Sequence, residues 1–421
     1  MPPRVIDAVP PSPTLAADQR MRERIAAGRP VIHLAFGEAG LPVPDSVRDV
    51  LARASVHNSY GTVAGSAGAR AAAAGYYERR GVPTAPEQIV LAPGSKPLLW
   101  ALISMLDGDV ILPRPSWVSY AAQAQMAGRR VWPVEIPAVA GGVPEPAALT
   151  HTLEQAVRSG GDPGVLVLTL PDNPTGTLAP AALVREIVEI AQRHDLAIVC
   201  DEIYRDLVFE PGDFESPAQL APESTFITNG LSKSMALGGW RIGFARLPDG
   251  ALGADARAAL RGMASEVWSS LAAPMQVVAE YILQEPDDLV AHVARSRRLH
   301  RLATTAAFDA VTGAGAVCRA PTAAFYLYPD LRPMRESLAA RGVDGADALA
   351  EWLLEEHDVG VLSGAAFGDD PRVLRFRMAT SLLYGADDDQ RRQTLESDDP
   401  VALPWIREPL QRLGAALAAA G

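Results

Sequence analysis

Short apolar runs alternate with amphipathic stretches through the first part of the chain. The runs have the length of strands, and the stretches between them repeat apolar positions every three to four residues, as at 181–193. This alternation predicts helices packed on both faces of a mostly parallel sheet. The strands predicted in this way occupy residues 89–92, 109–112, 165–170, 196–200, 225–228 and 241–247.

The pattern changes after Gly262, where residues 263–283 and 287–311 have helical periodicity. A Gly/Asp-rich insertion at 385–404 precedes the last helix. Between the helical stretch at 287–311 and this insertion, we predict strands at 323–328, 359–362 and 373–379 and a helix at 345–357. The predicted fold class is therefore α/β, with a large domain on a seven-stranded type of sheet and a smaller α+β domain.

With 421 residues the chain is too long for one simple core, so we expect it to divide into domains. Residues 1–45 are predicted to form an N-terminal arm and a segment of the small domain. The large domain is predicted at 46–289 and the small C-terminal domain at 290–421. Within the first segment we predict an irregular stretch at 1–13, a helix at 16–27 and a strand at 31–36.

Composition excludes several classes of protein. Apolar residues make up 48 % of the chain, which is enough for a large core, and the net charge of −12 argues against nucleic acid or an anionic membrane as partner. Cys200 and Cys318 each lie in or beside an apolar run and read as free thiols of a reducing compartment, with the cytoplasm as the expected location. We expect no membrane span, and no metal site because no Cys/His cluster has ligand spacing.

One lysine is predicted on a tight connection between two apolar runs. Lys233 lies in the stretch TNGLSKSMALGGWRIGF, residues 228–244, which is rich in small residues. A lysine whose pKa is depressed in a pocket, or that condenses with an aldehyde, becomes a covalent catalyst. Arg241, eight residues on, adds a permanent cation suited to a phosphate. Taken alone, the stretch also fits a surface lysine in a flexible loop.

Polar motifs follow the predicted strands. LPDNPTG ends one strand and places Asn173 at its carboxyl end, and DEIY, residues 201–204, follows the next. Open α/β sheets bind ligands at such ends. Gly94-Ser95-Lys96 opens a helix, whose free N–H groups favour an anion. With these motifs the chain resembles the pyridoxal-phosphate (PLP) enzymes of fold type I, specifically the class I/II aminotransferases related to aspartate aminotransferase, from about Ser12 to the last helix.

The resemblance implies PLP as cofactor and catalytic roles for Lys233, Asp201 and Tyr204. Lys233 carries PLP covalently and then moves the proton of the substrate Cα. Asp201 keeps the pyridine nitrogen protonated, while Tyr204 and Asn173 donate to the phenolic oxygen. The other cofactor contacts that it implies are Ser95, Lys96, Ser232 and Arg241 at the phosphate, Trp117 on the ring face and Tyr60 from the neighbouring subunit. The expected assembly is therefore a homodimer with composite sites.

The resemblance also implies the substrate contacts. It places the backbone of Gly37 and the side chain of Asn173 at the substrate, and it assigns Arg375 to the α-carboxylate with Arg377 as a structural neighbour. The two arginines also fit an exposed pair at a sheet edge. Side-chain specificity stays open, and the acidic and aromatic residues considered for it are Glu38, Asp172 and Trp268.

The expected reaction is transfer of an amino group from an L-amino acid to a 2-oxo acid by a ping-pong mechanism. Related enzymes use the same cofactor residues for other chemistry, so a PLP-dependent lyase or oxidase is the alternative. A PLP-sensing regulator of transcription is a third possibility. We disfavour it because only about a dozen residues precede the first predicted helix, too few for a DNA-binding module, and because the chain is acidic.

Overall fold

The structure, a computed structural model, describes residues 10–421. Most of the predicted irregular stretch at 1–13 therefore lies outside the described residues, and Pro13 already begins the first helix. The strands in chain order are β1 (Ile32–His33), β2 (Ile89–Ala92), β3 (Asp109–Arg114), β4 (Val131–Glu135), β5 (Pro163–Thr169), β6 (Ala197–Asp201), β7 (Thr225–Gly230), β8 (Gly243–Arg246), β9 (Tyr326–Leu327), β10 (Val359–Gly360), β11 (Leu362–Ser363) and β12 (Phe376–Ala379).

Seven strands form one sheet in the order β2-β8-β7-β6-β5-β3-β4. Its neighbours pair in parallel, except that β8 is antiparallel to both β2 and β7. The central strands are apolar throughout because helices cover both faces, and residues 165–168 and 198–200 are fully buried. The prediction of a mostly parallel seven-stranded sheet is confirmed. Because β5, β6 and β7 pair in parallel, their last residues, Thr169, Asp201 and Gly230, lie at the same edge of the sheet.

The α-helices lie partly on the large sheet and partly in the second unit of the chain. In chain order they are α1 (Pro13–Ala26), α2 (Asp45–Ala54), α3 (Ala67–Glu78), α4 (Ser95–Met105), α5 (Val118–Met126), α6 (Pro146–Arg158), α7 (Ala181–Arg193), α8 (Pro217–Leu220), α9 (Leu231–Ser234), α10 (Gly250–Val267), α11 (Ala273–Leu283), α12 (Asp287–Gly313), α13 (Arg335–Ala339), α14 (Ala346–His357), α15 (Asp388–Glu396) and α16 (Pro404–Ala418). Among residues 10–421, no helix has the length and apolar character that crossing a membrane requires.

Several predicted elements differ from the structure. The strand expected at 359–362 is divided into β10 and β11, which belong to different sheets. The helical stretch expected at 263–283 is two helices, α10 and α11, separated where Ser269 adopts a left-handed conformation with φ 63°. The insertion at 385–404 contains helix α15, whose N-terminus is capped by the Asp387 side chain, which accepts from the Gln390 N–H at 2.9 Å. The mostly polar sequence of α15 has no apolar stripe from which a helix would be predicted.

The two ends of the chain share a second hydrophobic core. β1 pairs in parallel with β10, so that Ile32 lies opposite Val359. β11, β12 and β9 form an antiparallel sheet in that order. Side chains from β1, from α12 and from α16, including Ile32, Leu299 and Leu413, pack in one cluster. Residues before the large sheet and residues after it therefore build one unit that faces the edge of that sheet.

Candidate active site

A cavity of about 570 Å³ lies at the carboxyl ends of β5, β6 and β7. The small sheets and α1 close it from the other side, and the α1 wall includes Thr14, Asp18 and Arg22. The residues predicted for the site that line this cavity are Gly37, Ser95, Lys96, Trp117, Asn173, Asp201, Tyr204, Ser232, Lys233 and Arg241. Two predicted residues, Tyr60 and Arg375, lie elsewhere, as described below.

Lys233 lies on the short helix α9, directly after β7. Its Nζ donates to the Gly37 carbonyl oxygen at 2.5 Å. The pKa of the amine is lowered to about 8, chiefly by burial and also by the nearby Arg377 guanidinium, while Glu38 opposes this shift. A substantial fraction of the amine is therefore neutral near pH 8, which is the form that can attack a carbonyl carbon.

Asp201, the last residue of β6, is buried and only half satisfied. Its Oδ2 accepts from the Tyr120 hydroxyl at 3.0 Å, and Tyr120 in turn accepts from Thr169 Oγ1 at 3.0 Å. Oδ1 has no hydrogen-bond partner among residues 10–421. Burial raises the pKa of this carboxyl to about 6, against the hydrogen bond from Tyr120. An oxygen in this state requires a donor, preferably a cation, from a ligand in the cavity.

The N-terminus of α4 and Arg241 converge at one end of the cavity. Gly94 precedes α4 with φ 97°, and a Cβ there would lie 2.3 Å from Arg241 Nη2, so the guanidinium packs against the backbone of this turn. Ser232 lines the same cavity. Lys96 Nζ lies 5.0 Å from the centre of the Trp117 ring, and burial, followed by the charge of Arg241, lowers its pKa. Free N–H groups, a helix dipole and two cations make this end an anion cradle.

Arg377, and not Arg375, reaches the cavity. Arg375, which was predicted to bind the α-carboxylate, lies outside the cavity lining in this structure, where its Nε donates to Asp330 at 2.9 Å and its Nη1 to Asp369 at 3.0 Å. Arg377 is 1 % exposed and donates to Asn173 Oδ1 at 3.3 Å and to a backbone carbonyl. Within the described part of the chain its Nε has no partner and no carboxylate pairs with it. A buried, unpaired cation requires an anionic ligand.

The comparisons with known proteins agree with this arrangement. A family model described as aminotransferase class I and II matches residues 29–382. The chain belongs to this family. It is 33 % identical to an aspartate/prephenate aminotransferase of Cereibacter sphaeroides, over 89 % of this chain and 93 % of that protein. It is 31 % identical to an aspartate aminotransferase of Bacillus subtilis, over 90 % and 94 %.

A solved structure gives the same fold. The aspartate aminotransferase from Thermus thermophilus with maleate superimposes with a TM-score of 0.83 and 28 % sequence identity, covering 98 % of this chain and 100 % of that one. The family is PLP-dependent, so this chain is a PLP-dependent transaminase that acts on amino acids and 2-oxo acids. The residues of the cavity fit PLP: an amine of lowered pKa, an orphaned carboxylate oxygen and an anion cradle are all present.

Two residues of the transaminase site were not predicted from sequence. Tyr120 supports Asp201, and the signal for it is its position in the first turn of α5, three residues after Trp117, which directly precedes that helix. Tyr326, on β9, lines the cavity with its hydroxyl 2.8 Å from that of Tyr204. Its apolar surroundings in sequence are those of an ordinary core strand, so no pattern separates it from a packing residue.

Three residues were considered as contacts for the substrate side chain. Glu38 lines the cavity, whereas Asp172 and Trp268 do not. Asp172 is fully buried beneath it, and its Oδ2 accepts from the Thr175 hydroxyl at 2.6 Å. Burial raises the pKa of Asp172 to about 7. Trp268, at the end of α10, packs against the core of the large sheet.

Tyr60 is 83 % exposed in this chain. It lies on the loop between α2 and α3, where its carbonyl accepts from the Ser270 hydroxyl, and its side chain is not part of the cavity. A tyrosine this exposed is uncommon for a packing residue. Its suggested place in the site of a second subunit stays a prediction.

Proposed function

We propose that this transaminase moves amino groups with Lys233 as both the covalent anchor of PLP and the proton carrier. The observation that carries the proposal is the pairing, in one cavity, of a buried amine of lowered pKa with the unpartnered Oδ1 of Asp201. When bound, PLP supplies an electron-accepting ring that weakens the Cα–H bond of the substrate. Lys233 would hold the cofactor covalently, and when its amine is free its Nζ would take the Cα proton of the substrate as a base and later give it up as an acid.

The other side chains hold and tune the cofactor in this proposal. Asp201 Oδ1 would accept a hydrogen bond from the protonated ring nitrogen and so keep it protonated, and Tyr204 and Asn173 would donate to the phenolic oxygen. Asn173 Nδ2 lies 3.4 Å from the Tyr204 hydroxyl, which supports a shared target. The anion cradle of Ser95, Lys96, Ser232 and Arg241 takes the phosphate, and Trp117 covers the ring face.

We further propose that Arg377 binds the α-carboxylate of the substrate, beside Asn173 and the Gly37 backbone. Its unpaired buried charge supports this role. Because relatives are named aspartate aminotransferases, aspartate is the first amino donor to test. When an amino donor is added without a 2-oxo acid, the visible absorbance of bound PLP should change once, for a single half-reaction, and the reaction should then stop. Continuous release of ammonia would instead indicate lyase or oxidase chemistry.

Replacing Arg377 with glutamine should raise KM for the amino donor by about 10- to 100-fold, because a bond between charged groups is lost. The matched control is Arg375→Gln, which breaks the ion pairs with Asp330 and Asp369 and should lower thermal stability with KM nearly unchanged. Steady-state kinetics and thermal melts of both variants measure these effects. If KM rose more in Arg375→Gln than in Arg377→Gln, Arg375 and not Arg377 would be the residue that binds the substrate carboxylate.

We also propose a homodimer in which Tyr60 completes the phosphate site of the partner. Its exposure leaves the hydroxyl free to reach another chain. Tyr60→Phe should then weaken PLP binding, measured by equilibrium dialysis, whereas Tyr281→Phe on α11 should not. Mixed with Lys233→Ala subunits, the Tyr60 variant should regain one good site in each heterodimer. A fully active monomer in sedimentation experiments is incompatible with this proposal.

The division into residues 1–45, 46–289 and 290–421 is retained as a proposal, supported by the separate small sheets. We place the enzyme in the cytoplasm, because Cys200 and Cys318 are both free thiols.

A further inference from the structure

The Tyr76 side chain lies between the turn after β6, which carries Tyr204, and the end of β7, which leads to Lys233. Tyr76 is part of α3 and is 3 % exposed. Its hydroxyl oxygen is 2.9 Å from Asp206 Oδ2 and 3.3 Å from Asn229 Nδ2. Asp206 follows Tyr204 by two residues, and Asn229 precedes Lys233 by four. One buried hydroxyl therefore links the two parts of the chain that bring these side chains to the cavity.

Backbone hydrogen bonds do not make this link. β6 and β7 pair in parallel as far as Asp201 and Thr228, and the Glu202 N–H then donates to the Thr228 carbonyl at 2.9 Å. Among residues 10–421, no backbone hydrogen bond joins the two parts of the chain beyond this one. The placement of Tyr204 relative to Lys233 therefore depends on side-chain contacts.

The Tyr76 hydroxyl both donates and accepts, and the direction of each bond is fixed. Asp206 is ion-paired with Arg80 at 2.8 Å, and a carboxylate only accepts, so Tyr76 donates its single proton to Asp206. Burial raises the pKa of the Tyr76 hydroxyl, which therefore keeps this proton. Asn229 Oδ1 accepts from the Gly230 N–H at 2.7 Å, so its amide nitrogen is the atom that donates to Tyr76.

The Tyr76 ring is held independently of its hydroxyl. It packs edge to face on Tyr77 and Phe244, with ring centres 5.3 Å and 5.7 Å away. The guanidinium carbon of Arg80 lies 3.6 Å from the centre of the Tyr76 ring. Phenylalanine at this position would keep these contacts, so removing the hydroxyl breaks the link and leaves the packing in place.

We propose that Tyr76 is a positioning residue that fixes Tyr204 relative to Lys233 through its hydrogen bonds with Asp206 and Asn229. The proposal rests on the proposed roles of Tyr204 and Lys233 toward the cofactor. Tyr76, Asp206 and Asn229 do not line the cavity, so they act only through the residues that do. Because a hydrogen bond weakens steeply when its geometry is lost, a displaced Tyr204 donates less well to the phenolic oxygen.

The test uses the PLP-loaded enzyme with Tyr76→Phe. A donor to the phenolic oxygen favours the deprotonated chromophore, so a weaker donor raises the midpoint of the pH-dependent visible absorbance. We expect this midpoint to rise by about half a pH unit. We also expect kcat to fall by about 10-fold with KM for the amino donor nearly unchanged. Hydrogen exchange, followed by mass spectrometry, should become faster at residues 204–207 and 230–233.

Tyr77→Phe is the matched control. Tyr77 is the next residue on α3 and is fully buried, but its hydroxyl has no hydrogen-bond partner among the described residues. Its replacement should leave the midpoint, kcat and hydrogen exchange unchanged. An unmoved midpoint in Tyr76→Phe, even with a lower melting temperature, would show that Tyr76 only stabilises the fold. An equal shift in Tyr77→Phe would also overturn the proposal.

Two more variants separate this proposal from the one it rests on. Tyr204→Phe should raise the midpoint further than Tyr76→Phe, and adding Tyr76→Phe to it should not raise the midpoint again, because Tyr76 acts on the chromophore through Tyr204. If Tyr204→Phe leaves the midpoint in place, the proposed role of Tyr204 fails and this inference fails with it. A shift in Tyr204→Phe without one in Tyr76→Phe refutes the Tyr76 role alone.

Discussion

Lys233→Ala is expected to reduce turnover by about 10⁴-fold or more, because one substitution removes the nucleophile and the proton carrier together. The amine has the burial and lowered pKa that both tasks need. Borohydride reduction of the wild-type enzyme should link PLP to Lys233, and peptide mass spectrometry should find it there. The variant should hold PLP loosely and lose exchange of the substrate Cα proton.

The sequence makes this experiment easy to interpret. Lys96 and Lys233 are the only lysines of the chain, and both line the cavity. Lys96→Ala is thus the matched control, which should keep the covalent link to Lys233 while binding PLP more weakly. Recovery of the cofactor on Lys96 in the wild-type enzyme would contradict the assignment.

The second large effect is expected from Asp201→Asn, with a loss of turnover of about 10³-fold. Asparagine can still accept from Tyr120, so the fold should be kept, but it lacks the negative charge that holds a proton on the ring nitrogen. Turnover, PLP affinity and circular dichroism should be measured together. Asp172→Asn, which neutralises the fully buried carboxyl beneath the cavity, is the control and should stay active. Near-normal turnover in Asp201→Asn would remove Asp201 from the mechanism.

The sequence predicted the part of the site that local pattern determines. Lys233 and Asn173 follow buried strands and Asp201 ends one. Because the carboxyl ends of parallel strands meet at one edge, the convergence of these residues follows from the fold class. Ser95 and Arg241 were predictable from a helix start and a short connection. These residues can be placed in the site from the order of strands and helices along the sequence alone.

The choice between Arg375 and Arg377 could not be made in this way. Residues two apart on a strand share a face, so periodicity treats them alike. The partners that decide between them, Asp330 and Asp369 for one and Asn173 for the other, are brought together only by tertiary packing. Tyr326 was missed for the same reason, since its neighbours across the cavity are distant in sequence.

The pairing of β1 with β10 also has a consequence for synthesis of the enzyme. Gly37, which receives the Lys233 amine, follows β1, and β1 gains its neighbour only when Val359 has left the ribosome. Arg246 is the last residue, in chain order, of the seven-stranded sheet. All strands of this sheet are therefore synthesised well before Val359, so the sheet is able to form first. Contacts between such distant segments form slowly. A chain synthesised only as far as residue 358 therefore carries Lys233 beside the large sheet but lacks the β1–β10 pairing that positions Gly37 at the Lys233 amine.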